Sequence, residues 1–163
     1  MAILTVGSNQ QYATLNAAVA SSHDGDTIYV QHGIYTNDFA YIPTDIRIIG
    51  VGGMAQLVAT QSPPNGKAIL TTNGDIMLDH IEFTGAAVPD DNGAGIRFEG
   101  GNLTITNSYF HDNQEVCSRA HFPARSRSTA PSSGTMVRGT ASATISTPAR
   151  SIALPSGIPI FTT

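Results

Sequence analysis

Residues 69–84, ILTTNGDIMLDHIEFT, and residues 96–111, IRFEGGNLTITNSYFH, repeat one pattern at a spacing of 27. Ile69 aligns with Ile96, Gly74 with Gly101, Asp75 with Asn102, Ile76 with Leu103, Leu78 with Ile105 and Phe83 with Phe110. Within each unit apolar residues alternate with polar ones, as in strands with one buried face. One such unit cannot bury that face alone, whereas stacked units can, so the period predicts a solenoid. Asn73-Gly74 and Gly100-Gly101 fall at equivalent corners, and Phe83 and Phe110 read as an internal aromatic ladder.

The same beat extends upstream. DIRIIGVGG (45–53) is a β-branched run closed by glycines, and its GVGG reads as a turn, since no helix pattern follows to make a phosphate cradle. In DGDTIYVQHGIYTND (24–38), Ile28 and Val30 precede His32-Gly33, and Ile34 and Tyr35 follow it, which predicts strand, turn, strand. Before this, YATLNAAVASS (12–22) sets Leu15, Ala18 and Val19 on one face at helical spacing, with Thr14 as cap.

This order resembles bacterial right-handed β-helix proteins of the pectate-lyase-like superfamily: an opening helix, GDTIYVQHGIYT, IRIIGVGG, then units ending in IEFTGA and SYFHDN. The resemblance covers residues 3–115. It implies an all-β, right-handed parallel β-helix with an N-terminal cap helix, truncated after about three coils. It further implies the amino-terminal fragment of a protein that binds or acts on polysaccharide by lyase-like or hydrolase-like chemistry, inactive as this chain. A non-catalytic surface or adhesion scaffold, and a pseudogene product without function, are the alternatives. Proteins of this family are often secreted or held at the cell surface.

Charge divides the chain at residue 115. All twelve acids lie between Asp24 and Glu115, opposed only by Arg47, Lys67 and Arg97, for a charge of −9. That balance argues against nucleic acid as a partner, and against strongly acidic polysaccharide unless a cation bridges them. The amino terminus lacks the basic and long apolar regions of a secretion signal, and no stretch approaches the ~20 apolar residues of a membrane span. Cys117 is the single cysteine, so no internal disulfide forms.

Residues 116–163 hold five arginines, no lysine and no acid, with five of the nine prolines. Three readings suit this composition: a disordered basic linker, a nucleic-acid arm, or a segment translated in the wrong frame. The codons supply a discriminating observation. Reading the last base of each codon of residues 157–163 with the first two of the next permits Asn-Ser-Tyr-Phe-His-Asp, the sequence of residues 107–112. The same shift permits His-Asn-Leu-Tyr-Ala-Gly across residues 143–149, similar to a motif recurring in the family, and a glycine directly after Glu115. A frameshift near Glu115 is therefore expected, with residues 116–163 not native to the fold.

Candidate chemistry is sparse. A lyase must hold a cation over the substrate carboxylate and place a base at the neighbouring carbon. The residue types that serve are Asp79, Glu82, Arg97, His111 and Asp112, with Arg97 also placed to pair with Glu99 or Asp75. In the 27-residue register Asp79 falls beside Thr106 and Glu82 beside Tyr109, so the acids do not recur in the next unit, and alternation alone accounts for polar residues there. Asp90, Asp91 and Asn92 in PDDNGAG offer oxygen ligands for Ca2+, or a polar turn before Gly93. His80 and His111 are offset by four positions from the repeat, and HExxH, CxxC and histidine clusters are missing, which argues against a transition-metal site. No other cofactor is implied.

Overall fold

The computed structural model describes residues 1–119 and 143–146. An opening strand, β1 (Ile3–Val6), leads to helix α1 (Leu15–Ala20). Four coils follow: β2 (Thr27–Thr36) with β3 (Ala40–Ile42), then β4 (Ile46–Val58) with β5 (Ala68–Thr72). The third holds β6 (Ile76–Asp79), β7 (Ile81–Thr84) and β8 (Ala94–Phe98), and the fourth β9 (Asn102–Thr106), β10 (Tyr109–His111) and β11 (Glu115–Arg119). One sheet runs β1-β2-β4-β6-β9, with β7 and β10 continuing it beyond β4, and a second runs β3-β5-β8-β11. Every pair in these paths is parallel, so successive coils stack in register as a parallel β-helix, with one coil more than the sequence suggested. A final strand, β12 (Ala143–Ser146), lies antiparallel on β9.

Stacking turns the alternating sequence into columns. Leu4, Ile28, Ile48, Leu78 and Ile105 sit over one another through four strand pairs, the middle three with no exposed surface. A second column runs Tyr35, Leu57, Phe83 and Phe110, and the last two rings stack at 4.7 Å and 10°. Each fully buried Ile, Leu or Phe contributes about 1.5–3 kcal/mol. The columns thus supply the drive that one coil lacks.

A polar ladder runs up one corner. The Asp45 N–H donates to Asp24 Oδ1 (3.0 Å), the Asp75 N–H to Asp45 Oδ1 (2.7 Å), and the Asn102 N–H and Nδ2 to Asp75 Oδ1 (2.9 Å each). Each side chain thereby satisfies the first backbone donor of the coil above, which a corner would otherwise leave unpaired. At the opposite end, α1 covers the first coil. Leu15, Ala18 and Val19 are buried, the Thr14 hydroxyl accepts from the Ala17 N–H, and the buried Asp38 carboxylate accepts from Leu15 and Asn16. Among the described residues no helix is long and apolar enough to cross a membrane.

Three local expectations change. The 27-residue register holds from Ile76 against Leu103 onward, but β5 and β8 pair Leu70, not Ile69, with Ile96. The upper coil therefore carries its extra residue at the 99–101 corner, where Gly101 adopts φ 81 and a side chain would strike the Gly74 carbonyl. Residues 28–35 form one strand, β2, with a register shift between Gln31 and Gly33, because β4 pairs with both its halves. GVGG likewise lies inside β4, and a Cβ on Gly50 would approach the His80 carbonyl to 2.1 Å. Strand β11 crosses the charge break at 115, while residues 120–142 and 147–163 of the expected non-native tail lie outside the described residues.

Two substitutions test these columns. Phe83→Ala should lower unfolding stability by about 3–5 kcal/mol, read by denaturant melts. At the ladder, Asp75→Ala should cost about 1–2 kcal/mol through its lost acceptor, whereas Asp75→Asn, which keeps an oxygen and removes a stacked charge, should stay near wild type.

Candidate functional site

The coil geometry separates the candidate residues onto two sheets. Asp79, Glu82 and His111 belong to β6, β7 and β10 of the first, with Asp112 directly after it, whereas Arg97 belongs to β8 of the second. Arg97 is therefore not brought together with the other four.

On the first sheet, the strands break at His80 (φ 56) and Asn107 (φ 46), equivalent positions in successive coils where the backbone turns in the left-handed region. Asp79 sits at this corner. Its carboxylate accepts from Thr106 Oγ1 (2.7 Å) and Asn107 Nδ2 (2.8 Å) and meets His80 Nδ1 at 2.7 Å. Burial works to raise its pKa, but the bonds from Thr106, His80 and Asn107 hold it below the ordinary value. A carboxylate so engaged joins two coils and is not a poised base.

Glu82 and His111 form the second cluster. His111 Nε2 lies 2.9 Å from Glu82 Oε1, its Nδ1 2.7 Å from Asp112 Oδ2 and 3.3 Å from Thr84 Oγ1, and its ring stacks on Tyr109 at 4.8 Å. Gln56 donates to the other Glu82 oxygen (3.2 Å). The hydrogen bond to Glu82, then that to Asp112, raises the His111 pKa. This cluster ties β10 down onto β7.

The outer face of the second sheet carries a groove of about 460 Å3 lined by Tyr41, Asn65, Lys67, Thr71, Arg97 and Glu99. Register explains the lining: Tyr41, Thr71 and Arg97 are direct neighbours on β3, β5 and β8, with Thr71 itself buried between its exposed or half-buried neighbours, while all of the next row, Ile42, Thr72 and Phe98, is buried. Tyr41 is 52% exposed. Arg97 Nε donates to Glu99 Oε1 at 2.8 Å, settling its partner as Glu99 and not Asp75, which is taken by Asn102. Asn65 Nδ2 donates to Thr71 Oγ1 (2.8 Å) and its Oδ1 receives the N–H groups of Lys67 and Ala68, which shapes the groove wall.

Lys67 also accounts for the PDDNG loop. Its Nζ lies 3.2 Å from Asp90 Oδ2 and 3.3 Å from Asn92 Oδ1, while Asp91 Oδ1 receives Gln114 Nε2 at 3.2 Å. The cation that two of these three side chains hold is thus an ammonium group. Among the described residues no group of three or more His, Cys, Asp or Glu is arranged for a metal ion. Gln114 closes the loop, its Oε1 accepting from Val88 and Gly93 N–H, and Asn113 Oδ1 accepts from Ala86 N–H. Sequence reasoning missed Tyr41, Asn65, Lys67 and Thr71; the outward place of Tyr41 between Ala40 and Ile42, and Lys67 as the single lysine, were the available signals.

The raised His111 pKa has a pH consequence. Its stabilising contribution is complete below the unfolded value near 6.5 and is lost as pH rises through the higher folded value. Unfolding free energy should therefore fall across that window by an amount within the ~0–1 kcal/mol of an exposed pair, read by denaturant melts at several pH values, and His111→Ala should remove that fall.

No family model matches the chain, and no curated protein matches its sequence. Among solved structures, a point mutant of the PL6-family alginate lyase AlyGC superposes with a TM-score of 0.51 at 18% identity. The match covers 73% of this chain and 20% of that one, so this chain spans about one fifth of the lyase's length. At that identity the likeness is one of fold. The protein carries the right-handed parallel β-helix fold that the sequence resemblance implied.

Proposed function

We propose that this chain forms the amino-terminal coils of a β-helix protein that binds or acts on polysaccharide, and that the groove of the second sheet is the contact face. The observation that carries the reading is the row Tyr41, Thr71 and Arg97, flanked by Lys67 and Glu99 on an open parallel sheet. An exposed tyrosine ring offers a platform for a sugar face, and a guanidinium with a carboxylate beside it offers paired donors and acceptors for hydroxyl groups. The superposed alginate lyase adds that this fold is compatible with polysaccharide chemistry.

For this chain alone we favour binding without bond cleavage. Both groove cations are matched by an acid, Arg97 by Glu99 and Lys67 by Asp90. A lyase requires a cation left over for the substrate carboxylate, with a base in reach of the neighbouring carbon. The Arg97–Glu99 pair does not meet that requirement.

Titration against a panel of neutral and uronate polysaccharides tests both parts. Saturable binding should weaken about tenfold, or ~1.4 kcal/mol, in Arg97→Ala and similarly in Tyr41→Ala. Ultraviolet absorbance of unsaturated sugar ends should stay flat. Failure to bind any member of the panel sinks the contact face, and rising absorbance sinks the inactive reading.

A further inference from the structure

The fourth coil leaves an open cross-section. Ile105, Phe110 and Cys117 pack on the core but are only half-buried, although Leu78, Phe83 and Ile96 directly beneath them are covered. Among the described residues, β10 and β11 have no strand on their outer edges. Asn102, top of the polar ladder, gives its Nδ2 to Asp75, and its Oδ1 has no partner among the described residues. The strand beside β9, β12, runs antiparallel, against the direction of every other pair. Stacked β coils leave this kind of surface where a further coil or a cap belongs.

We infer that this end is the docking surface for a further coil of the same kind, encoded by the codons of residues 116–163 read in the shifted frame. In that frame the last two bases of every codon are dictated by the next residue, so each position permits only a few amino acids. Six consecutive positions nevertheless permit Asn-Ser-Tyr-Phe-His-Asp. Shifted codons starting within Ala153, Leu154 and Pro155 permit Leu, Thr and Ile, the residues at 103–105. The shifted string therefore departs from residues 103–112 only at the position of Thr106, where it permits Arg, Gly or Trp.

The residues that recur are those the stack uses. Leu103 and Ile105 enter core columns, Asn107 takes the left-handed corner, Phe110 stacks on Phe83, and His111 reaches down to Glu82. A chance match has no reason to select the apolar columns and the corner together. In the frame as translated, residues 157–163 carry neither an acid nor an Asn.

The nucleotide sequence decides the matter, because the inference specifies bases that the protein leaves free. The third bases of the codons for Gly157, Ile158, Pro159, Ile160, Phe161 and Thr162 should read A, T, T, T, C and G, and the shifted frame should contain no stop codon between residues 115 and 163. A stop codon there, or third bases spelling another string, overturns the inference. A gene rebuilt to continue in the shifted frame after Glu115 supplies the second readout. Its product should melt higher than the present chain and gain β-sheet circular dichroism; an equal or lower melting point overturns the inference too. A closed shifted frame, together with a dimer of the present chain that Phe110→Asp dissociates, would assign the surface to a second copy instead.

Discussion

Each coil of this protein depends on the coil beneath it for both its apolar burial and its backbone hydrogen bonds. A strand such as β6 has Ile76 and Leu78 on one face and a full row of N–H and C=O groups on each edge, and it satisfies none of these by itself. Register is consequently strict. A slip by one residue would turn Leu78 out of the column shared with Ile48 and Ile105, and would also break the ladder in which Asp75 receives the Asn102 N–H. The helix α1 solves the same problem at the first coil by covering its end, with Asp38 from that same coil fastening the helix start.

That dependence explains why so many polar residues of the middle coils are structural. Asp79, Asn113 and Gln114 look like free surface groups in the sequence, yet each carries bonds between successive coils or to the loop below. Other side chains stand on the outer faces of the strands without a part in stacking. The row from Tyr41 to Arg97 is the clearest set, and its Arg97–Glu99 pairing lies along one strand, leaving the stack intact without it.

The charge distribution fits the same picture. Asp24, Asp45 and Asp75 stand at successive corners, where each carboxylate oxygen accepts a backbone N–H from the coil above. The arginine-rich composition after residue 115 has no such use within the described solenoid. A periodic fold and an aperiodic basic segment are thus joined at one point in the chain.

Sequence alone determined the architecture, because strand alternation, the 27-residue recurrence and the Asn, Asp and Gly corners are local properties that survive without coordinates. It also placed the helix cap, Phe83 over Phe110, and Asp79 beside Thr106. It mislaid the register of Ile69 and took GVGG for a turn, since a one-residue insertion at a glycine corner and a bulge within a long strand look alike in one dimension. The groove was decided only by tertiary structure. Tyr41, Lys67 and Arg97 are separated by 26 and 30 residues and meet because β3, β5 and β8 stack. Likewise the partner of Asp90 is an ammonium delivered from the coil below, a contact that no local pattern in PDDNG encodes.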